Sequence, residues 1–550
     1  MTELTSFLAA VEQLARQPNV STPNDCDLRQ SAERYGTRTT FGNYVFHTMV
    51  KNRSAGATVY MGSPVVQLPS LSARQQEILA QAPQTLAAVQ RYLAKAPFVC
   101  VERSMGDNAE FVPSCRTYVS VARPEMVRIA YMWWSLLNAP NPSARGPKQT
   151  LIYIPEWQEK DRQILVFPEQ NLTLVLGSDY LGESKKGHLR MAMWNAKQQG
   201  MLGVHAGSKL IRARDAKTGQ IRRYAMIIFG LTATGKTTHA CHNHGLTGSG
   251  EGIEIVQDDV VFLTSDGGAY GSERGFYLKT EGINPQTQAL LYRAATQRDA
   301  IFENVMVDYQ GHVDFNDETL TSNGRGVVQW ADFGAAKAKS PNLPPVSGVD
   351  GLIVAFITRR NTVVPIASKL TLEQGAAAFM LGESIESSGG DPRRAGESVR
   401  VVGTNPFIVG DLAFEGNRFF ELLRAHPEKI QCYLLNTGGV GELTERQPDG
   451  RRMVTRKVLR VEIPEMAAII RGIVRNTIEW VDDPYFGTQV PRAVDGVDLT
   501  KFDLAKFYSP TQIDELVATL QRERAEYLGR FHGLHPAIVA AGSGTIRATA

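Results

Sequence analysis

The chain has 550 residues, with 59 basic against 56 acidic side chains and 43% apolar content. One hydrophobic core stops growing at roughly 250–300 residues, so two or more packed domains are expected. A net charge of +3 excludes a dedicated polyanion binder, and the ordinary mix of 21% charged and 8% aromatic residues excludes extensive disorder.

Residues 1–17 place Glu3 and Glu12 in an amphipathic pattern and read as a surface helix, not a signal peptide. Ser72 and Gln75 form a capping box for a helix carrying Ile78 and Leu79. Pro83 is expected to end or kink it, with Leu86 and Val89 in a second piece to about Tyr92. Residues 139–148 are rich in proline and small residues and read as an exposed loop. Strand-like apolar runs follow at 149–154, 172–176, 225–229, 253–256 and 352–357. Residues 384–400 are long, polar and glycine-rich, a composition suited to a disordered loop or an active-site lid. Ser509-Pro510 with Gln512 opens a last helix whose buried stripe is Ile513, Leu516, Val517 and Leu520. Helical patterns alternating with short β-branched runs predict an α/β architecture. No run approaches the roughly 20 apolar residues of a membrane span. Cys26, Cys100, Cys115, Cys241 and Cys432 are odd in number and scattered, which suits a reducing, cytoplasmic location.

The strongest local signal is Gly230-Leu231-Thr232-Ala233-Thr234-Gly235-Lys236-Thr237, which fits G-x-x-x-x-G-K-[ST] directly after an apolar strand. In such a P-loop, backbone N–H groups and the following helix N-terminus hold a triphosphate. Lys236 reaches the β/γ oxygens and the Thr237 hydroxyl sits on Mg²⁺. Asp258 and Asp259 end the next apolar strand and supply the acidic element that a bound metal needs. These parts predict NTP–Mg²⁺ binding and leave the phosphoryl acceptor open. His239, Cys241, His242 and His244 imitate a metal box, but no second ligand pair with zinc-like spacing is nearby. They read instead as a helix C-terminus, where histidines suit the dipole.

Around this motif stand Tyr180-Leu181-Gly182-Glu183-Ser184-Lys185-Lys186-Gly187, Val204-His205-Ala206, Tyr277-Leu278-Lys279-Thr280 and Arg298-Asp299-Ala300-Ile301-Phe302-Glu303-Asn304-Val305. Val313-Asp314-Phe315-Asn316-Asp317, Thr321-Ser322-Asn323-Gly324-Arg325 and Leu435-Asn436-Thr437-Gly438-Gly439 follow. In this order and spacing the series resembles ATP-dependent phosphoenolpyruvate carboxykinase, most densely over residues 176–326. The resemblance implies a two-domain carboxykinase-like fold, with a substrate-side domain at 1–206 and a P-loop domain at 207–550. It implies conversion of oxaloacetate and ATP to phosphoenolpyruvate, CO₂ and ADP. Lys186, His205 and Asp259 match the family's Mn²⁺ ligands, with Asp258 acting through the Mg²⁺ shell. Tyr180 matches the tyrosine beside substrate and CO₂, and Lys185 is a candidate for contact with substrate or phosphate. Lys279 and Arg325 match cations around the transferring phosphoryl group, and Arg460 an arginine near adenine. Thr238 completes the loop sequence that resembles the ATP-using branch.

The sequence also departs from that family. Its Gly-Arg-Ser-Pro-Lys-Asp-Lys signature is replaced by Asn52-Arg53-Ser54-Ala55-Gly56-Ala57, leaving Arg53 to clamp a carboxylate. Met466 falls where a nucleotide-contacting threonine is expected. The altered signature motivates a second reading, a small-molecule kinase on the same scaffold with another acceptor. A third is a nucleotide-binding regulator without turnover, which would not require the Mn²⁺ set. The expected partners are small molecules, with neither nucleic acid nor membrane. Oligomeric state is not legible in the sequence.

Overall fold

The computed structural model describes residues 2–231, 234–386, 397–446 and 452–543. Thr232, Ala233 and most of the candidate lid therefore lie outside the described residues. The fold is mixed α/β, built around a seven-stranded sheet from the first third of the chain and an eight-stranded sheet from the remainder. The seven-stranded sheet is covered on one face by the helices Val127–Leu136 and Leu181–Gln198, and on the other by Thr2–Gln13 and Ala73–Leu93. A strand buried on both faces carries no polar alternation. Leu172–Leu176 and Gly351–Thr358 are accordingly buried at every position.

The predicted strands are present as Lys148–Ile154, Leu172–Leu176, Ile221–Gly230, Gly252–Gln257 and Gly351–Thr358. The Ser72 and Ser509 capping boxes both form. Leu516 is half-buried, while Ile513, Val517 and Leu520 are fully inside. Pro83 does not end its helix: Ala73–Leu93 is one element and runs through it. Pro83 faces solvent, so water can satisfy the carbonyl that loses its intrahelical donor. Ile78, Ala82, Leu86 and Val89 anchor the helix on both sides of it.

A five-stranded sheet joins distant parts of the chain, in the order Gly275–Lys279, Arg325–Gln329, Ile301–Glu303, Tyr44–Phe46, Thr37–Arg38. Residues before 206 are thus not confined to one sheet. All five cysteines are unpaired, and only Cys26 is exposed. No helix among the described residues is long and apolar enough to cross a membrane.

Candidate active site

Strand register gathers the central residues at one end of the eight-stranded sheet. Ala206–Arg214 runs antiparallel to Ile221–Gly230, pairing Ala206 with Phe229, so His205 falls beside Gly230. It is also antiparallel to Gly252–Gln257, pairing Ser208 with Gln257, which brings Asp258 and Asp259 to the same end. The parallel neighbours Gly351–Thr358 and Ile430–Asn436 add Arg359 and Thr437. Ligands of open α/β sheets collect at the carboxyl ends of such strands. A cleft of about 660 Å³ opens there, lined by Arg53, Tyr180, Lys186, His205, Lys236, Thr237, Asp258, Asp259, Lys279, Arg325 and Arg460.

Asp259 is the electrostatic centre. Its Oδ2 lies 2.5 Å from both Lys185 Nζ and Lys186 Nζ, and its Oδ1 lies 2.9 Å from His205 Nε2 and 3.2 Å from Lys236 Nζ. Burial works to raise the Asp259 pKa, but Lys185, Lys186 and Lys236 outweigh it and hold the carboxyl well below its usual range. Burial brings Lys186 down to about 7 against the pull of Asp259, with Lys185 and Lys236 reinforcing the drop. Lys185 departs from expectation. It does not line the cleft but lies beneath it, bridging Asp259 and Glu273, the latter at 3.0 Å. Burial pushes Glu273 up to about 7 despite that lysine.

The five-stranded sheet sets Lys279 directly opposite Arg325, two cations on one rim. Lys279 is ion-paired to Glu281, and Arg325 lies 5.6 Å over the Tyr277 ring with its buried Nε lacking a partner among the described residues. The Arg53 segment is fixed from behind. Asp179 accepts the Met49 and Val50 N–H groups at 2.9 Å and is paired with buried Arg128 at 3.0 Å. The Arg53 guanidinium lies 4.5 Å over Phe407, and the Tyr180 hydroxyl accepts from Asn323 Nδ2 at 3.3 Å.

Between strand and helix, Gly235 has φ +97°, a conformation that favours glycine, and the helix Lys236–Cys241 starts immediately after it. Thr437 Oγ1 donates to the Thr234 carbonyl at 2.6 Å, tying the loop to the neighbouring strand end. Arg460 and Met466 line the outer part of the cleft, together with Arg359, which the sequence reading missed. The Arg359-Arg360 pair at the carboxyl end of the Gly351–Thr358 strand was the available signal.

The family model described as phosphoenolpyruvate carboxykinase matches residues 24–500 of this chain. The chain belongs to the ATP-dependent phosphoenolpyruvate carboxykinase family. It is 31% identical over 447 residues to the phosphoenolpyruvate carboxykinase (ATP) of Aeropyrum pernix, covering 80% of this chain and 82% of that one. Identity to the protein of that name from Rhodopseudomonas palustris is 27% over 401 residues, covering 69% and 68%. The glycosomal protein of Trypanosoma cruzi is 28% identical over 293 residues, 52% of this chain and 56% of its own.

Membership of this carboxykinase family implies ATP and a divalent metal, and the donor set fits a cation. His205 Nδ1 lies 2.7 Å from the Thr404 carbonyl and donates to it, so Nε2 presents a lone pair. That lone pair faces Asp259 Oδ1, an acceptor meeting an acceptor, and burial with Lys236 and Lys186 brings the imidazole down to about 3. Lys236 Nζ, 3.4 Å from Nε2, is the only cation touching both atoms among the described residues. Asp258 Oδ1 is buried without a partner among the described residues. Thr404 itself went unread in the sequence. It has φ +50°, unusual for a β-branched residue, and its Oγ1 accepts from the Gly230 N–H at 3.2 Å.

The histidine cluster is a helix end, as expected, but not for the expected reason. The helix stops at Cys241, and burial holds His239 near 3 and His242 near 4, so neither supplies positive charge. Buried Lys209 satisfies the helix end instead, by hydrogen bonding: it donates to the His239 carbonyl at 2.5 Å and the His242 carbonyl at 3.2 Å and contacts His244 Nε2, while burial brings its own pKa down to about 7. Among the described residues no group of three or more His, Cys, Asp and Glu side chains is arranged to hold a metal. Lys209→Met should lower stability by about 1–3 kcal/mol, the cost of orphaning those carbonyls, measured by urea unfolding.

Proposed function

We propose that the chain acts on oxaloacetate and ATP in this cleft, giving phosphoenolpyruvate, CO₂ and ADP. The carrying observation is the gathering of Lys186, His205 and Asp259 on the wall of the cleft that is also lined by Leu231 and residues 234–238. In this reading residues 1–206 are the substrate side and 207–550 the P-loop nucleotide side. The unpaired cysteines suit a reducing cytoplasm.

Cleavage of the C3–C4 bond of oxaloacetate releases CO₂ and leaves its electron pair as an enolate. The enolate oxygen then bonds the γ-phosphorus while the β,γ-bridging oxygen leaves with ADP, and no net proton is consumed. Arg53, stacked on Phe407, clamps a substrate carboxylate, and Tyr180 faces the departing CO₂. Loop N–H groups and Lys236 hold the β/γ oxygens. Lys279 and Arg325 meet the charge that spreads over the transferring group, and Arg460 approaches the base. Lys186, His205 and Asp259 would hold Mn²⁺, and Thr237 with Asp258 would serve Mg²⁺. Bound there, the divalent ions supply Lewis-acid stabilisation of negative charge. Lys186 suits ligation because its lowered pKa makes the neutral amine available near neutral pH. Lys185, itself held by Glu273, helps keep Asp259 ionised from below.

A coupled assay tests this. Phosphoenolpyruvate should form only when oxaloacetate, ATP and divalent metal are all present. EDTA should abolish turnover, Mn²⁺ with Mg²⁺ should restore it, and circular dichroism should not change, because Asp259 is already neutralised by lysines. ATP consumption that requires a different acceptor, with none on oxaloacetate, would reject the assignment.

A further inference from the structure

Arg190 is a buried charge that the reaction as described does not use. It lies on the Leu181–Gln198 helix four residues beyond Lys186, hence on the same helical face. Only 3% of it is exposed. Its Nε and Nη1 have no hydrogen-bond partner, and it joins no ion pair among the described residues. Most buried guanidinium groups are paired, because an unpaired one bears a large desolvation cost. Among the described residues Arg190 has only ring faces: Tyr60 at 5.4 Å and Phe407 at 5.8 Å.

Phe407 is the ring on which Arg53 also rests, at 4.5 Å, and Lys186 at 4.7 Å. The nearby carboxylate Glu183 has one oxygen occupied by the Ser54 N–H at 2.5 Å. Lys186 is answered by Asp259. Arg53 and Arg190 are thus two guanidinium groups flanking one ring with no carboxylate paired to Arg190. In a water-poor interior such an unanswered charge is weakly screened, so its field reaches the cleft that Arg53 lines. The feature that would answer it is an anion in that cleft.

We infer that Arg190 is a specificity-determining positioning residue, which together with Arg53 makes this pocket select a dianionic carboxylate substrate. The inference rests on the carboxykinase reading. It also accounts for the altered signature after Arg53: positive charge missing from that loop is supplied by the helix behind Phe407. The carboxylate that survives the reaction is charged in oxaloacetate, in phosphoenolpyruvate and in the transition state between them. Attraction to it is uniform binding, which appears in KM and leaves kcat untouched.

The test compares wild type, Arg190→Met and Arg190→Lys in both reaction directions. Arg190→Met should raise KM for oxaloacetate and for phosphoenolpyruvate about tenfold, leaving kcat and KM for ATP within about twofold. Its unfolding midpoint should be no lower than wild type, because a desolvated unpaired charge is being removed. Arg190→Lys should recover most of the KM loss by restoring charge. Unchanged KM values in the Met variant, or a Lys variant no better than Met, would overturn the inference. So would a lowered unfolding midpoint with equal losses for ATP and oxaloacetate, which marks a structural residue. If wild type itself makes no phosphoenolpyruvate, the carboxykinase reading fails first, independently of Arg190.

Discussion

Asp259→Asn is expected to lower kcat for phosphoenolpyruvate formation about a thousand-fold and to cost about 3–5 kcal/mol of stability. One carboxylate answers Lys185, Lys186 and Lys236 together, in a site shielded from water. An amide keeps the shape but removes the charge, leaving Lys185 and Lys236 facing each other without it, Lys186 pushed further toward its neutral form, and Glu273 as the remaining partner of Lys185. Removing one side of a buried ion pair is costly because the other side stays desolvated. Asp258→Asn is the internal comparison. Asp258 makes no ion pair among the described residues, and burial raises its pKa, so its ionised form adds nothing to the fold. That variant should lose activity while unfolding at or above the wild-type urea midpoint. Equal midpoints for the two variants would contradict the central place given to Asp259.

This asymmetry between neighbouring aspartates marks the limit of what sequence shows. The Gly230–Thr237 pattern, the two acids and the flanking strands were legible because each depends on residues adjacent in the chain. Strands of the central sheets were legible because burial on both faces leaves an unbroken apolar run. Lys185 and Lys186 show the opposite case. Consecutive residues on a helix point about 100° apart, so one reaches the cleft and the other the buried Glu273. Nothing near Lys185 in the chain announces a partner so remote in sequence. Phe407 and Thr404 were unreadable for the same reason, since their roles exist only once their loop folds back onto His205 and Gly230. That the helix continues past Pro83 was not legible, because the local rule that proline ends a helix holds for an isolated one. Packing of Ile78, Ala82, Leu86 and Val89 outweighs one lost backbone bond.

Arg325→Gln should separate binding from chemistry. Its guanidinium shares the Lys279 rim and lies over Tyr277, and its buried Nε has no partner among the described residues. In the proposed reading, a donor left open at that place is free for an oxygen of the transferring phosphoryl group. Charge on those oxygens redistributes as the bond to the leaving oxygen breaks, so the interaction strengthens in the transition state. Cations that stabilise phosphoryl transfer in this way are worth about 10³–10⁵ in kcat. The expected result is a kcat lowered about a thousand-fold with ATP affinity, measured by titration calorimetry, changed less than about fivefold. In the proposed reading Lys236 and the loop N–H groups remain to hold the β-phosphate, which is why binding should survive. A variant whose ATP affinity falls as steeply as its kcat would place Arg325 among the ground-state contacts instead. Arg325→Lys should recover only part of the rate, because a point charge cannot reproduce the fork that spans two oxygens.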